Sequence, residues 1–323
     1  MSRHAPGRNP DNLQSSMKIT GTFLDEITHD IPAQNWGPDE WEADFRAMKD
    51  AGIDTVILIR AGYRRTATFG SKVLQREMDI YPVYTDLVDL FLTLAEKYGM
   101  AFWFGTYDSG KYWINGDYRK ESDINRAFCD EVLEKYGHRK AFSGWYISHE
   151  IHTYNEGMMR VYEELAGHLR GLKKLPILIS PYVKGVKQFG DEAISLNHHI
   201  EEWERVFERI KGLVDVVAFQ DGQVSYDELS DYLQANSELA ARHGIQSWSN
   251  VESFDRDMPI KFPPISFDKL RYKMELAAQA GVDKLITFEF SHFMSPNSMY
   301  PSAHGLYKRY LEWTGTRDDH EQY

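Results

Sequence analysis

The residues with the most chemistry to offer in this chain are acids. Glu150 closes the segment SGWYISHE and Glu252 closes QSWSNVE, each at the polar end of a largely apolar run. Two carboxyl groups facing one bond are what glycosidic cleavage needs: one protonates the leaving oxygen, and the other attacks the anomeric carbon or activates water. Glu150 sits amid Trp145, Tyr146 and Ile151, and apolar surroundings keep a carboxyl group protonated. It is therefore the expected acid/base, and Glu252, beside Asn250, the expected nucleophile.

Other apolar runs end in the same way. Asp25 and Glu26, Arg60, Tyr107 and Asp108, His149, Gln220 and Asp221, Asn250, and Glu289 with His292 follow stretches that read as strands. Arg60 and Arg64 can bind a substrate hydroxyl or carboxylate, or pair with Asp25 or Asp108. Trp36, Tyr63, Tyr107, Tyr112, Trp113, Trp248, Phe290 and Phe293 lie in or near the loops at these ends. Sugar rings stack their C–H faces on aromatic side chains, and Trp113, in the polar loop DSGKYWINGDYRK, is the expected platform. The substrate-binding set read from the sequence is Asp25, Arg60, Tyr107, Trp113, His149, Gln220, Asp221, Trp248, Asn250, Glu289 and His292.

Two rival chemistries use the same residues. Glu150, Asp221, Glu252 and Glu289 with one of His149, His152 or His292 could ligate a divalent metal, as in barrel-type sugar isomerases and metal-dependent hydrolases. The sequence holds no H-x-H or H-E-x-x-H, although S-H-E-I-H places two histidines around a glutamate. A non-catalytic carbohydrate-binding barrel is the other rival. The leading expectation needs no metal and no other cofactor.

Positioning such a set requires a rigid frame, and the chain shows one by rhythm. Strand candidates are 18–25, 53–60, 101–107, 143–150, 176–182, 214–220, 246–252 and 284–289. Between them lie amphipathic stretches that read as helices, closed by Gly52, Gly99, Gly137, Gly171, Gly212, Gly244 and Gly281. Glycine suits a helix end because the left-handed backbone there costs it nothing. Pro38 marks a first turn, Ser225 with Glu228 reads as a capping box, and residues 303–313 supply the last helix.

Eight strand–helix units predict an α/β protein, a single (β/α)8 TIM barrel over residues 17–313. Residues 1–16 read as a disordered leader and 314–323 as a flexible tail. A doubly wound sheet is the competitor, but no G-x-G-x-x-G follows the first strand. In a barrel the C-terminal strand ends surround the active site. Alternation along a strand puts Gly144, Tyr146, Ser148 and Glu150 on one face, and Gln246, Trp248, Asn250 and Glu252 on one face. If Trp145, Ile147 and Val251 meet the helices, both glutamates point to the barrel axis, from strands four and seven. His149 then points away from Glu150.

Bulk properties narrow the partners. A formal net charge of −12 argues against a phosphate-backbone binder, so no nucleic-acid partner is expected. No run approaches a membrane span, and the polar opening segment lacks a secretory apolar core, which predicts a cytoplasmic protein. The single cysteine, Cys129, excludes a disulfide framework and reads as a buried, inert thiol. Oligomeric state is not legible.

The segments NWGPDEWEADFRAMKDAGIDTVIL, GWYISHEI, VVAFQDG and WSNVESF together resemble domain-of-unknown-function family 4434, over about residues 17–313. That resemblance implies a bacterial glycoside hydrolase on a TIM barrel. The pattern is also similar to clan A glycoside hydrolases, which implies acid/base and nucleophile roles at Glu150 and Glu252, and retention of anomeric configuration. Where clan A members carry Asn before the acid/base, this chain has His149.

Overall fold

A computed structural model describes residues 17–316. Eight parallel strands close into a barrel in sequential order: β1 (Ile19–Leu24), β2 (Thr55–Leu58), β3 (Ala101–Gly105), β4 (Phe142–Tyr146), β5 (Ile177–Ile179), β6 (Val216–Gln220), β7 (Gln246–Asn250) and β8 (Lys284–Thr287), with β8 pairing back onto β1. Eight longer helices surround it: α1 (Pro38–Asp50), α2 (Leu87–Tyr98), α3 (Tyr118–Tyr136), α4 (Glu156–Leu172), α5 (Leu196–Ile210), α6 (Leu229–Arg242), α7 (Phe267–Gln279) and α8 (Pro301–Thr314). The single (β/α)8 barrel read from the rhythm is what the chain forms.

Alternation sorts the strand residues as expected. Phe23, Ile57, Trp103, Tyr146, Leu178, Ala218, Trp248 and Ile286 fill the barrel interior, while Trp145, Ile147 and Val251 join the larger core between sheet and helices. Gly144 shows how tightly the interior is filled. A Cβ there would lie 2.2 Å from the Trp103 ring, so only glycine lets that indole lie across the barrel, edge-on to Trp248 at 5.5 Å.

The strands are shorter than the apolar runs. The ladder stops near Tyr146, Ile179 and Asn250, and residues such as 147–150 and 251–252 continue past it. These overhangs carry the polar groups. A second, three-stranded sheet also leaves the barrel top: Gly62–Tyr63 pairs with Thr66–Ala67 and with Tyr107–Asp108.

Two local expectations need correcting. Ser225 is not a helix cap: its Oγ donates to Glu228 Oε2 at 2.8 Å within a turn, and α6 begins only at Leu229. The left-handed conformation holds at Gly52, Gly99, Gly212, Gly244 and Gly281, but Gly137 has φ −60° and Gly171 lies inside α4. At the end of the barrel, α8 runs through Thr314 and stops at the left-handed Gly315, and Lys18 Nζ donates to Thr316 Oγ1 at 3.0 Å. The expected leader and most of the expected tail lie outside the described residues. No helix among the described residues is long and apolar enough to cross a membrane.

Candidate active site

The overhangs enclose a cavity of about 340 Å³ at the C-terminal mouth of the barrel. Glu150 and Glu252 both line it, from beyond β4 and β7, as do Asp25, Arg60, Asp108, Trp113, Gln220 and Asn250. Phe23, Ile59, Phe254 and Phe288 supply apolar wall, and Tyr63, Tyr182 and Trp113 supply aromatic faces with polar tips.

The two glutamates sit in contrasting surroundings. Glu150 is the more accessible, with its side chain 22% exposed. The inward-facing Tyr146, four residues earlier, donates its hydroxyl to Oε1 at 3.3 Å, and Arg60 Nη2 approaches the same oxygen at 3.4 Å. Burial pushes the Glu150 carboxyl above the ordinary glutamate range; the Arg60 charge draws it partly back. Arg60 is held charged, because Glu150 and Asp108 outweigh the cost of its burial.

Glu252 is 2% exposed and is gripped by a guanidinium fork: Arg256 Nε donates to Oε2 and Nη2 to Oε1, each at 2.8 Å. Such bidentate pairing fixes direction as well as charge. Phe254 and Phe262 lie against the guanidinium at 4.9 and 5.6 Å. The backbone of Glu252 is fixed too. Its N–H donates to Asp221 Oδ1 at 3.0 Å, and its carbonyl accepts from Lys273 Nζ at 2.7 Å. Lys273 also pairs with Asp221 at 2.7 Å, both side chains being almost fully buried. Burial raises the Asp221 carboxyl, and Lys273 counters it.

Gly222 completes this arrangement. A Cβ on it would sit 1.6 Å from Glu252 Oε2 and 2.7 Å from Arg256 Nε, so the ion pair packs directly on bare backbone. We predict that Gly222→Ala pushes the carboxylate out of position and lowers kcat/KM at least about tenfold, with the melting temperature falling by only a few degrees. Wild-type kinetics in that variant would show that the close approach is incidental.

Several residues of the expected substrate-binding set do not line the cavity. Asp221 lies behind Glu252 as its support. Trp248 is part of the barrel filling. Tyr107 is fully buried, its hydroxyl donating to the Arg64 carbonyl at 2.8 Å, because the Tyr107–Asp108 segment leaves the barrel ladder for the small sheet. His149 faces α3, as its parity predicts, with Nε2 2.8 Å from Glu121 Oε1. Burial disfavours the His149 cation, but the Glu121 hydrogen bond and charge more than restore it. Glu289 and His292 form a buried pair away from the cavity. Glu289 accepts from the Ser291 and His292 amides at 2.9 and 2.8 Å, and His292 Nε2 donates to Pro32 O at 2.7 Å, pinning the loop after β1. Burial opposes the His292 charge, yet Glu289 lifts its pKa to about 9.

Sequence reasoning missed Arg256, Lys273, Glu121, Gly222, Tyr182 and Gln223. Of these, Lys273 and Glu121 left a trace, since each falls on the buried stripe of its helix. Among the described residues, the groups close enough to share a cation are Asp108–Glu121–His149 and Glu204–Glu208–His243. Neither is the set that the metal reading used. In the first, the Asp108 oxygens accept from Gly110 N, Trp113 Nε1 and Arg60, and those of Glu121 from Ser109 and Asn125.

A parallel eight-stranded barrel with its polar residues massed at the C-terminal mouth is the arrangement common to (β/α)8-barrel enzymes. The chain belongs to the family described as Domain of unknown function (DUF4434), which matches residues 19–300. It is 50% identical to a candidate alpha-L-fucosidase from Bacteroides thetaiotaomicron, over 94% of this chain and 97% of that one, with a TM-score of 0.91. An endo-1,4-beta-D-mannanase from Thermotoga petrophila shares the fold at 11% identity and a TM-score of 0.57, over 84% of this chain and 88% of that one. A glycoside hydrolase family 5 protein from Bacteroides vulgatus does so at 12% and 0.56, over 79% of this chain and 56% of that one. A search of curated proteins returns no significant match.

Proposed function

We propose that this protein hydrolyses an O-glycosidic bond, with Glu150 as acid/base and Glu252 as nucleophile in a retaining mechanism. The observation that carries the reading is the contrast between two carboxyl groups on one cavity. Glu150 is raised by burial, so it can hold a proton for the leaving oxygen. Glu252 lies in a guanidinium fork whose two hydrogen bonds, each 2.8 Å, fix the direction of its carboxyl group. In the first step Glu252 bonds to the anomeric carbon as Glu150 protonates the departing oxygen. In the second, Glu150 takes a proton from water, and that water displaces Glu252. Tyr182 and Trp113 offer faces for a sugar ring.

The similarity to a candidate alpha-L-fucosidase puts aryl α-L-fucosides first in a substrate panel, followed by other aryl glycosides and short oligosaccharides. Turnover of one member, with NMR showing the product anomer matching the substrate, supports the proposal. Inversion removes the nucleophile role from Glu252. No turnover across the panel removes the hydrolase.

The acid role sets a pH dependence. Activity needs the protonated form of Glu150, so it falls as pH rises through the pKa of that group. The positive charge of Arg60 favours the ionised form and lowers this pKa. Arg60→Met is therefore predicted to move the alkaline limb of kcat/KM to higher pH, besides lowering its height. An unmoved or acid-shifted limb assigns that limb to another group.

A further inference from the structure

We propose that the cavity selects uncharged sugars and rejects uronic acids, an inference that rests on the glycosidase reading and names its substrate class. Its lining carries five carboxyl groups, on Asp25, Asp30, Asp108, Glu150 and Glu252, against the two guanidinium groups of Arg60 and Arg256. Both guanidiniums are already committed. Arg60 lies between Asp108 and Glu150, at 3.4 Å from each. Arg256 gives Nε and Nη2 to the two oxygens of Glu252. With Glu150 carrying the proton of a general acid, the lining is still negative.

A sugar carboxylate entering this space would be desolvated among like charges, which costs it affinity. It would also have to take Arg256 from Glu252, leaving that buried anion without its partner. A neutral sugar meets neither obstacle, because its hydroxyls donate to carboxylates and its C–H faces meet the rings of Trp113 and Tyr182.

The test is a binding measurement, by calorimetry and ligand-observed NMR, on the whole protein at pH 7. The probes are pairs that differ at C6 alone: methyl galactoside against methyl galacturonoside, and methyl glucoside against methyl glucuronoside. The expected result is that the neutral member of at least one pair binds about tenfold tighter or more, and that high salt narrows the gap. Glu252→Gln frees the Arg256 fork and should strengthen uronide binding about tenfold. Asp30→Asn should narrow the gap without touching either glutamate. Uronides that bind as well as or better than their neutral partners overturn the inference, as does failure of every neutral probe to bind. Turnover of a uronide but not of its neutral partner overturns it while leaving the hydrolase intact. Neutral sugars that bind, with no turnover across the substrate panel, remove the hydrolase and leave the inference standing.

Discussion

Replacing Glu252 with glutamine is expected to lower kcat/KM roughly 10³- to 10⁵-fold, and Glu150→Gln to do the same on substrates with poor leaving groups. Glutamine keeps the shape of glutamate but supplies neither an attacking anion nor a dissociable proton. The fold should survive. The Glu252 backbone hydrogen bonds to Asp221 and Lys273 do not involve its side chain, and the Arg256 guanidinium, 18% exposed, still reaches water and the glutamine carbonyl. We expect about 1–3 kcal/mol of stability to be lost at Glu252, where a close ion pair is broken, and less at the more accessible Glu150. In the proposed acid role Glu150 acts on the leaving oxygen, so its variant should be least impaired on aryl glycosides whose phenol departs without a proton. Glu252→Gln should be impaired on all of them. Activity within tenfold of wild type, with an unchanged melting temperature, would remove Glu252 on any substrate, and Glu150 on substrates with poor leaving groups, from the mechanism.

Lys273→Met should be the most destabilising of the single changes near the site, by about 3–5 kcal/mol. It strips the cation from Asp221, whose side chain is 2% exposed, and the donor from the Glu252 carbonyl. Asp221 must then hold an unpaired charge in a dry environment or take up a proton, and either response loosens the segment that carries Glu252. Chemical denaturation measures the loss directly. The double variant Lys273→Met with Asp221→Asn removes the stranded charge and keeps an oxygen for the Glu252 amide, so it should recover more than half of the deficit. A single-variant loss below about 1 kcal/mol, or a double variant worse than the sum, would show that this buried pair is not what holds Glu252.

Much of the frame was legible in the sequence. All eight strands were visible as apolar runs, and alternation along GWYISHE and QSWSNVE aimed Glu150 and Glu252 inward, because side chains on a strand must alternate. What parity could not reach is what happens once the ladder ends. Tyr107 would face inward on an extended β3, but its segment turns away to pair with Gly62–Tyr63. The apolar run before them places Glu289 and His292 at a strand end, whereas Glu289 caps the turn Phe290–Phe293 and that turn holds His292 against it. Lys273 and Glu121 carry a fainter sign. Lys273 lies three residues after Leu270 and one before Met274, and Glu121 lies three before Ile124 and seven before Phe128. A charged residue on the apolar stripe of a helix was the available signal. Arg256 gave no comparable sign, since its reach to Glu252 depends on an irregular loop.

The indole of Trp103, laid across the barrel over Gly144 and braced by Trp248, has a consequence for traffic. With Phe23, Tyr146 and Leu178 it packs the barrel interior, so the cavity is approached from the C-terminal mouth. Whatever enters last must leave first. A leaving group lodged toward the rim would have to clear the opening before water could reach the sugar beneath it, and any alcohol that lingered there would stand where water must come.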